Sequence, residues 1–267
     1  MMRVLPLPII CCTLAVFAAG TATDLRTRLE NPAERPRLAA QLANDNEWRG
    51  IDAGSVRNVR DLGAIPGAEK LRRGMLFRGA ALSPNRLGRL ASRGVPSTLD
   101  DAAVECLFSA LGIRTVIDLR TTMETGAKRP EKLPADVRYH NIPILPYAMA
   151  DFPASRDAFH RIMQILADDA SYPVYFFCQH GTDRTGTLAF LLEGLLGINP
   201  QSRFRDWLQS ITAYPECFDR QYSHGYGALQ LLIPDECADG FDAFAAKCQV
   251  APETLENFRR IMGGMPR

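Results

Sequence analysis

Cys178 and Arg184 stand with five residues between them in the run Cys178-Gln179-His180-Gly181-Thr182-Asp183-Arg184-Thr185-Gly186. A thiol and a guanidinium at that spacing can act together on one small anion, the sulfur attacking it and the planar cation holding it. The flanking sequence says where they sit. Pro173-Val174-Tyr175-Phe176-Phe177 is a short apolar, β-rich run that suits a fully buried strand. Residues 185–196 are apolar on almost every face, which predicts a helix buried on most sides and starting near Arg184 or Thr185. Cys178 therefore stands at a strand end, and the loop after it faces a helix N-terminus.

Successive backbone N–H groups of such a loop, with the partial positive charge of the helix end, attract a phosphate dianion and favour the thiolate of a cysteine held among them. Thiols in such settings have pKa values of about 3.5 to 7.5 rather than about 8.5. The amides of Gln179, His180, Gly181, Thr182, Asp183 and Arg184 are the candidate phosphate-binding groups. Arg184 adds a permanently charged fork that holds two equatorial oxygens and follows them into the transition state. Gly181 lets the backbone turn inward, and Gly186 lets the helix start pack closely. Thr185 can donate its hydroxyl to the sulfur when the sulfur becomes the leaving group. The plain alternative is a buried strand-end cysteine beside a surface arginine, but it leaves the combined strand, loop and helix pattern without a cause.

This segment resembles the signature loop of the cysteine-dependent protein tyrosine phosphatases, Cys-x5-Arg-[Ser/Thr], and in particular the atypical bacterial dual-specificity-like branch whose loop ends Asp-Arg-Thr-Gly. Three upstream blocks resemble that family in order: Asn58-Val59-Arg60-Asp61-Leu62-Gly63, then Arg73-Gly74-Met75-Leu76-Phe77-Arg78-Gly79-Ala80, then Gly112-Ile113-Arg114-Thr115-Val116-Ile117-Asp118-Leu119-Arg120 followed by Glu124. The resemblance spans residues of about 55 to 200. It implies phosphomonoester hydrolysis through a phosphocysteine, with phosphotyrosine as the default substrate and phosphoserine, phosphothreonine and inositol phosphates as alternatives. Two residues depart from the pattern. Phe177 stands where most relatives carry a histidine that helps set the cysteine pKa, so a less acidic thiol is expected. Thr182 stands where many members of this branch carry a lysine suited to polyanionic substrates, which weakens the case for a phosphoinositide headgroup.

Such chemistry needs a general acid for the leaving oxygen and then a base for the attacking water. Two aspartates compete. Asp183 lies inside the loop, and the resemblance implies it can serve. Asp151, in Tyr147-Ala148-Met149-Ala150-Asp151-Phe152-Pro153, lies on a loop ahead of a helix at about the distance where conventional members carry theirs. An arginine-orienting role for Asp183 and a cap or surface role for Asp151 stay open. His180 either touches substrate or covers the loop, and covering is the simpler reading. Asp61, Asp118 and Arg120 fall near strand ends, where ligands bind in open α/β sheets, but a buried ionic network bracing the loop accounts for them more simply. Arg60 and Arg78 are supporting candidates of the same kind.

The 267 residues, 46% hydrophobic, suit one large α/β domain with insertions. A net charge of +1 argues against a broad nucleic-acid-binding face. Met1-Met2-Arg3 and the apolar stretch to Ala19, ending Ala18-Ala19-Gly20, predict a signal peptide over residues 1–22 and hence a secreted or periplasmic protein. Its clean apolar run is shorter than the roughly 20 residues that span a bilayer, so no stable membrane association is expected after its removal. Residues 23–50 read as a linker or short helix, and 51–267 as a phosphatase domain with a helical C-terminal region. In an oxidising compartment, one disulfide among Cys217, Cys237 and Cys248 is expected.

Strands are predicted at 56–65, 75–79, 115–119, 137–142 and 174–178, and helices at 100–111, 155–167, 185–196, 201–211 and 252–262. Their interleaving implies an α/β fold with a mainly parallel central sheet flanked by helices, of the protein tyrosine phosphatase type. Residues 214–234, rich in aromatics and glycine, read as a lid or as ordinary packing. No metal or other cofactor is expected, and the partner is a phosphorylated protein or a small phosphomonoester. A rhodanese or an arsenate reductase fits the upstream blocks poorly. A phosphate-binding module without turnover is the non-enzyme alternative, supported by Phe177.

Overall fold

The computed structural model describes residues 50–87, 99–145, 153–214 and 240–263. The expected signal peptide, most of the linker, Asp151, all but Tyr214 of the 214–234 segment, and Cys217 and Cys237 lie outside these residues. In chain order the elements are β1 (Ile51–Ala53), β2 (Val56–Asp61), β3 (Leu76–Gly79), α1 (Asp101–Val104, widening into a π-helical stretch, Glu105–Ala110), β4 (Thr115–Asp118), α2 (Thr122–Thr125), β5 (Arg138–Asn141), α3 (Pro153–Leu166), β6 (Val174–Phe177), α4 (Asp183–Leu195), α5 (Pro200–Ala213), α6 (Phe241–Lys247) and α7 (Pro252–Ile261).

The strands form one sheet in the order β1-β2-β3-β6-β4-β5. β3, β6, β4 and β5 run parallel, while β2 pairs antiparallel with both β1 and β3. The expected flanked, mainly parallel sheet is present, with an antiparallel edge. β6 lies inside the sheet because all four of its residues are apolar and fully buried, as a strand covered on both faces requires. Its alternation divides the core. Val174 and Phe176 join Leu76, Ile117, Leu188, Leu192 and Phe159 on one face, and Tyr175 and Phe177 join Phe77, Val116 and Leu107 on the other.

Helices cover the first face through regular spacing. α3 buries Ala158, Phe159, Ile162, Met163 and Leu166, and α7 buries Leu255, Phe258 and Ile261. α4 is buried almost all round, so it can pass under other elements and still present its first turn at the sheet's C-terminal edge. β2 stops at Asp61, short of the expected residue 65, because the Asp61 side chain accepts a hydrogen bond from Gly63 N at 2.8 Å and turns the chain into a 3-10 turn. Its other oxygen accepts from Gly74 N at 2.7 Å. β1, α2 and α6 were not among the predicted elements. They have three, four and seven residues, too few to display a period.

Charge is also buried in this core. Asp206 on α5 accepts from Arg60 Nε at 2.9 Å through Oδ1 and from Arg78 Nη1 through Oδ2, and none of the three side chains is more than 2% exposed. Arg60 Nη2 continues to the Asp206 carbonyl at 2.8 Å and to Ser210 Oγ at 3.0 Å. Burial and the neighbouring Arg78 charge pull the Arg60 pKa down to about 10, with Asp206 opposing them. Burial and then the Asp206 charge push the Glu193 carboxyl well up, whereas in Asp206 burial is outweighed by the two arginines. The two carboxyls are thus pushed in opposite directions, Glu193 toward its protonated form and Asp206 toward its carboxylate. Removing Asp206 strands two buried cations. Asp206→Ala is expected to cost about 3–5 kcal/mol in urea unfolding, and a loss below about 1 kcal/mol would show that the pair of arginines does not need it.

Candidate active site

Cys178 follows the last residue of β6 and is 3% exposed. The four residues after it turn the chain into α4, which begins at Asp183. Gly181 makes the turn: its φ is +72°, and a Cβ there would collide with the carbonyl of Gly79 at the end of β3, so any side chain is excluded twice. Gly79 is confined in turn, because a Cβ on it would meet the Tyr175 hydroxyl, which donates to Ala80 O at 2.7 Å. At the helix start, a Cβ on Gly186 would lie 3.0 Å from Trp207 Cδ1 on α5, in keeping with the expected close packing.

Three consecutive loop carbonyls are held from β2 and from the end of β3. Ala81 N donates to Gln179 O at 3.2 Å, Asn58 Nδ2 to His180 O at 3.0 Å and Arg78 Nη2 to Gly181 O at 2.8 Å. The His180 ring packs edge-on against Tyr214 at 5.1 Å between centroids, and the Arg57 guanidinium lies over the same tyrosine at 5.4 Å. Thr182 is buried and precedes α4 as its cap residue, accepting the Gly186 N–H at 2.8 Å through its carbonyl. Thr185 Oγ1 is buried with no hydrogen-bond partner among the described residues, the sulfur of Cys178 included. Both polar atoms of the Gln179 side chain are in the same condition. Asp183 is half-buried in the first turn of α4, where its charge suits the helix dipole.

Arg184 reaches across to Glu124. Nη1 donates to Oε2 at 2.7 Å and Nη2 to Oε1 at 2.9 Å, a two-bond fork that leaves three of the five guanidinium N–H donors for a ligand. Glu124 is fixed independently. It closes a capping box with Thr121, its Oε2 accepting from Thr121 N at 2.8 Å and from Thr121 Oγ1 at 3.0 Å, while Asn85 Nδ2 donates to Oε1 at 3.2 Å. Burial alone would raise the Glu124 carboxyl, but the Arg184 bond and charge and the Thr121 bonds outweigh it and hold the pKa at about 2. Burial lowers Arg184, and Glu124, Cys178 and Asp118 more than offset it, so its pKa lies above the usual arginine value.

Asp118 and Arg120 stand apart from the loop's interior. Asp118 accepts from Arg120 Nε at 2.9 Å, Arg120 Nη2 at 2.7 Å and Tyr139 Oη at 3.0 Å. Arg120 goes on to Ser83 O and Oγ, each at 2.8 Å, and lies over the Phe177 ring at 5.2 Å. Asp61 uses both oxygens on Gly63 N and Gly74 N, at the opposite end of β3 from Gly79. The described residues bring together Cys178, Gln179, His180, Gly181, Thr182, Asp183, Arg184 and Thr185. Glu124 and Asn58 join them without having been assigned a role from sequence. Glu124 left a readable signal, the Thr121-x-x-Glu124 capping box, whereas nothing in sequence marks Asn58 as a loop contact.

The sign of the Glu124 effect follows from its depressed pKa. Its stabilisation is fully present above the unfolded value of about 4.5 and is lost as pH falls through about 2. Glu124→Gln is expected to lower stability at pH 7 by about 1–2 kcal/mol, allowing for partial solvent contact, and to flatten the stability profile between those two pH values. An unchanged acid limb in the variant would show that the pair contributes nothing there.

Residues 51–265 match the family described as the tyrosine phosphatase family. A Cupriavidus necator protein, named provisionally as a tyrosine-protein phosphatase, is 28% identical over 184 residues, covering 58% of this chain and 61% of that protein. The tyrosine-protein phosphatase of Nostoc commune is 30% identical over 177 residues, covering 57% of this chain and 58% of its own. The chain thus matches about three fifths of the length of these curated relatives. A solved structure, the core catalytic domain of the PP-IP phosphatase SIW14 from S. cerevisiae in complex with citrate, aligns with a TM-score of 0.36 at 14% identity over 68% of this chain and 94% of that one, a likeness too weak to argue from. With the match running from β1 to the residues after α7, and the Cys178 loop inside it, the chain belongs to the tyrosine phosphatase family.

Proposed function

We propose that this protein is a phosphomonoester hydrolase working through a phosphocysteine, with phosphotyrosine in proteins as its principal substrate. The observation that carries the reading is the placing of Cys178 and Arg184 on either side of one four-residue turn, the first after a buried strand and the second in the first turn of a helix, with the arginine held ready by Glu124. The Cys178 thiolate attacks phosphorus in line, the bond to the leaving oxygen breaks, and that oxygen takes a proton from an aspartic acid. Water then attacks the thiophosphate and returns a proton to the aspartate, and the sulfur leaves as thiolate with Thr185 as the available donor. The loop amides and Arg184 hold the equatorial oxygens throughout.

Asp183 is the preferred acid, by resemblance to the loops that end Asp-Arg-Thr-Gly. Asp151 is its competitor. Export to the periplasm or outside the cell is part of the proposal and rests on the basic, apolar and small-residue order of residues 1–22.

The test is phosphate release from an aryl phosphate and from a panel of phosphopeptides and inositol phosphates, with reductant and chelator present. Cys178→Ser is expected to abolish chelator-resistant turnover, and phosphotyrosine peptides to be turned over fastest. Phosphate binding without turnover would move the protein to the silent binding module, and a leading inositol phosphate would change the substrate class. Asp183→Asn is expected to slow phenyl phosphate about 10²–10⁴-fold and a nitrophenyl ester much less. An equal loss on both esters, or the leaving-group-dependent loss appearing in Asp151→Asn instead, would remove Asp183 from the acid role.

A further inference from the structure

Gln179 O, His180 O and Gly181 O are consecutive, and each accepts a donor from outside the loop: Ala81 N, Asn58 Nδ2 and Arg78 Nη2. A trans peptide is planar, so a carbonyl drawn one way sends the N–H of the next residue the other way. Pinning these three carbonyls toward β2 and β3 therefore turns the amides of His180, Gly181 and Thr182 toward the opposite side of the chain, the concave side that receives an anion. Arg78 is fully buried and anchored on Asp206. Ala81 is main chain. Asn58 is the one adjustable side chain of the three, and its own backbone is unusual, with φ at +63°, a conformation that asparagine tolerates better than most residues.

We infer that Asn58 is a positioning residue for the proposed phosphoryl transfer, setting the angle of the His180–Gly181 peptide and so aiming the Gly181 N–H at the phosphate. Its amide is oriented from three sides. Nδ2 also meets Ser210 Oγ on α5 at 3.3 Å, Oδ1 accepts from Arg60 Nη1, and the Asn58 carbonyl accepts from the same nitrogen at 3.3 Å. A side chain merely filling a gap would not need its amide fixed in one sense. Here the Arg60 contact settles which end is oxygen, and the nitrogen is left for His180 O. This left-handed residue stands inside β2, and its side chain reaches His180 O in the loop. Backbone conformations of this kind are retained where the surroundings over-determine them.

This inference rests on the phosphatase reading, and the experiment separates the two. Asn58→Gly keeps the positive φ free of strain and removes only the side chain; Asn58→Asp keeps the shape and removes the donor. Both are expected to lower kcat and kcat/KM for an aryl phosphate about 10-fold, somewhat less than the loss of a direct oxyanion donor, and to raise the inhibition constant of tungstate by a similar factor. Leu107→Ala, in the core on the other face of the sheet, is the control for lost stability, with tungstate inhibition unchanged. If the Asn58 variants keep wild-type kcat/KM and tungstate affinity while folded, Asn58 does not position the loop. If the unaltered chain shows no turnover, the phosphatase reading fails, and Asn58 is then judged by calorimetric tungstate binding alone: weaker binding in Asn58→Gly upholds its role, and unchanged or absent binding overturns it.

Discussion

Asp206 holds two buried guanidinium groups at once, Arg60 through Oδ1 and Arg78 through Oδ2, and the loop depends on that contact. A buried cation is tolerated only with a partner and with its remaining donors placed. Arg60 reaches Ser210 and Asn58, and Arg78 reaches Gly181 O while its Nε has no hydrogen-bond partner among the described residues. The same rule that disposes of the charges thus carries hydrogen bonds from α5 through β2 and β3 to the loop.

The loop and Arg184 are held from opposite directions by separate devices. The carbonyls are drawn toward β2 and β3, while Arg184 is drawn toward α2 by a carboxylate already committed to a capping box. Neither device uses the sulfur or the amides themselves. Electrostatic stabilisation of a transition state is largest when the donors are fixed before charge develops, and here three loop peptides are fixed through their carbonyls and Arg184 through two of its five N–H donors.

How far the sequence alone could be read follows from where each feature's information lies. Strand β6 and helix α4 were legible because their signal is local: four successive apolar residues, then an apolar helix, with a cysteine and an arginine at the junction. The antiparallel edge was not, since β2 ends where the Asp61 carboxylate accepts from Gly63 N and Gly74 N, and the second of these contacts joins residues thirteen apart in the chain. Charge placement was legible only as a class. Arg60, Arg78, Asp118 and Arg120 read as bracing groups, but that Arg60 and Arg78 share Asp206, 146 and 128 residues away in the chain, is a property of α5 crossing the sheet. Glu124 lay between these cases, readable as a helix cap and unreadable as the partner of Arg184, 60 residues on.

Phe177 bears on the same division between local pattern and tertiary placement. A histidine before the cysteine would place hydrogen-bonding nitrogens at the end of β6, and phenylalanine offers none. Its ring instead packs against Tyr175 at 5.7 Å and lies under the Arg120 guanidinium at 5.2 Å, an aromatic face and a cation that are favourable together. Arg120 is locked over that ring by Asp118 and Ser83, so the position keeps a fixed positive charge nearby, one layer further out. The work of shaping the loop then falls on donors that approach from β2 and β3 rather than from β6, and Asn58 and Arg78 occupy those places.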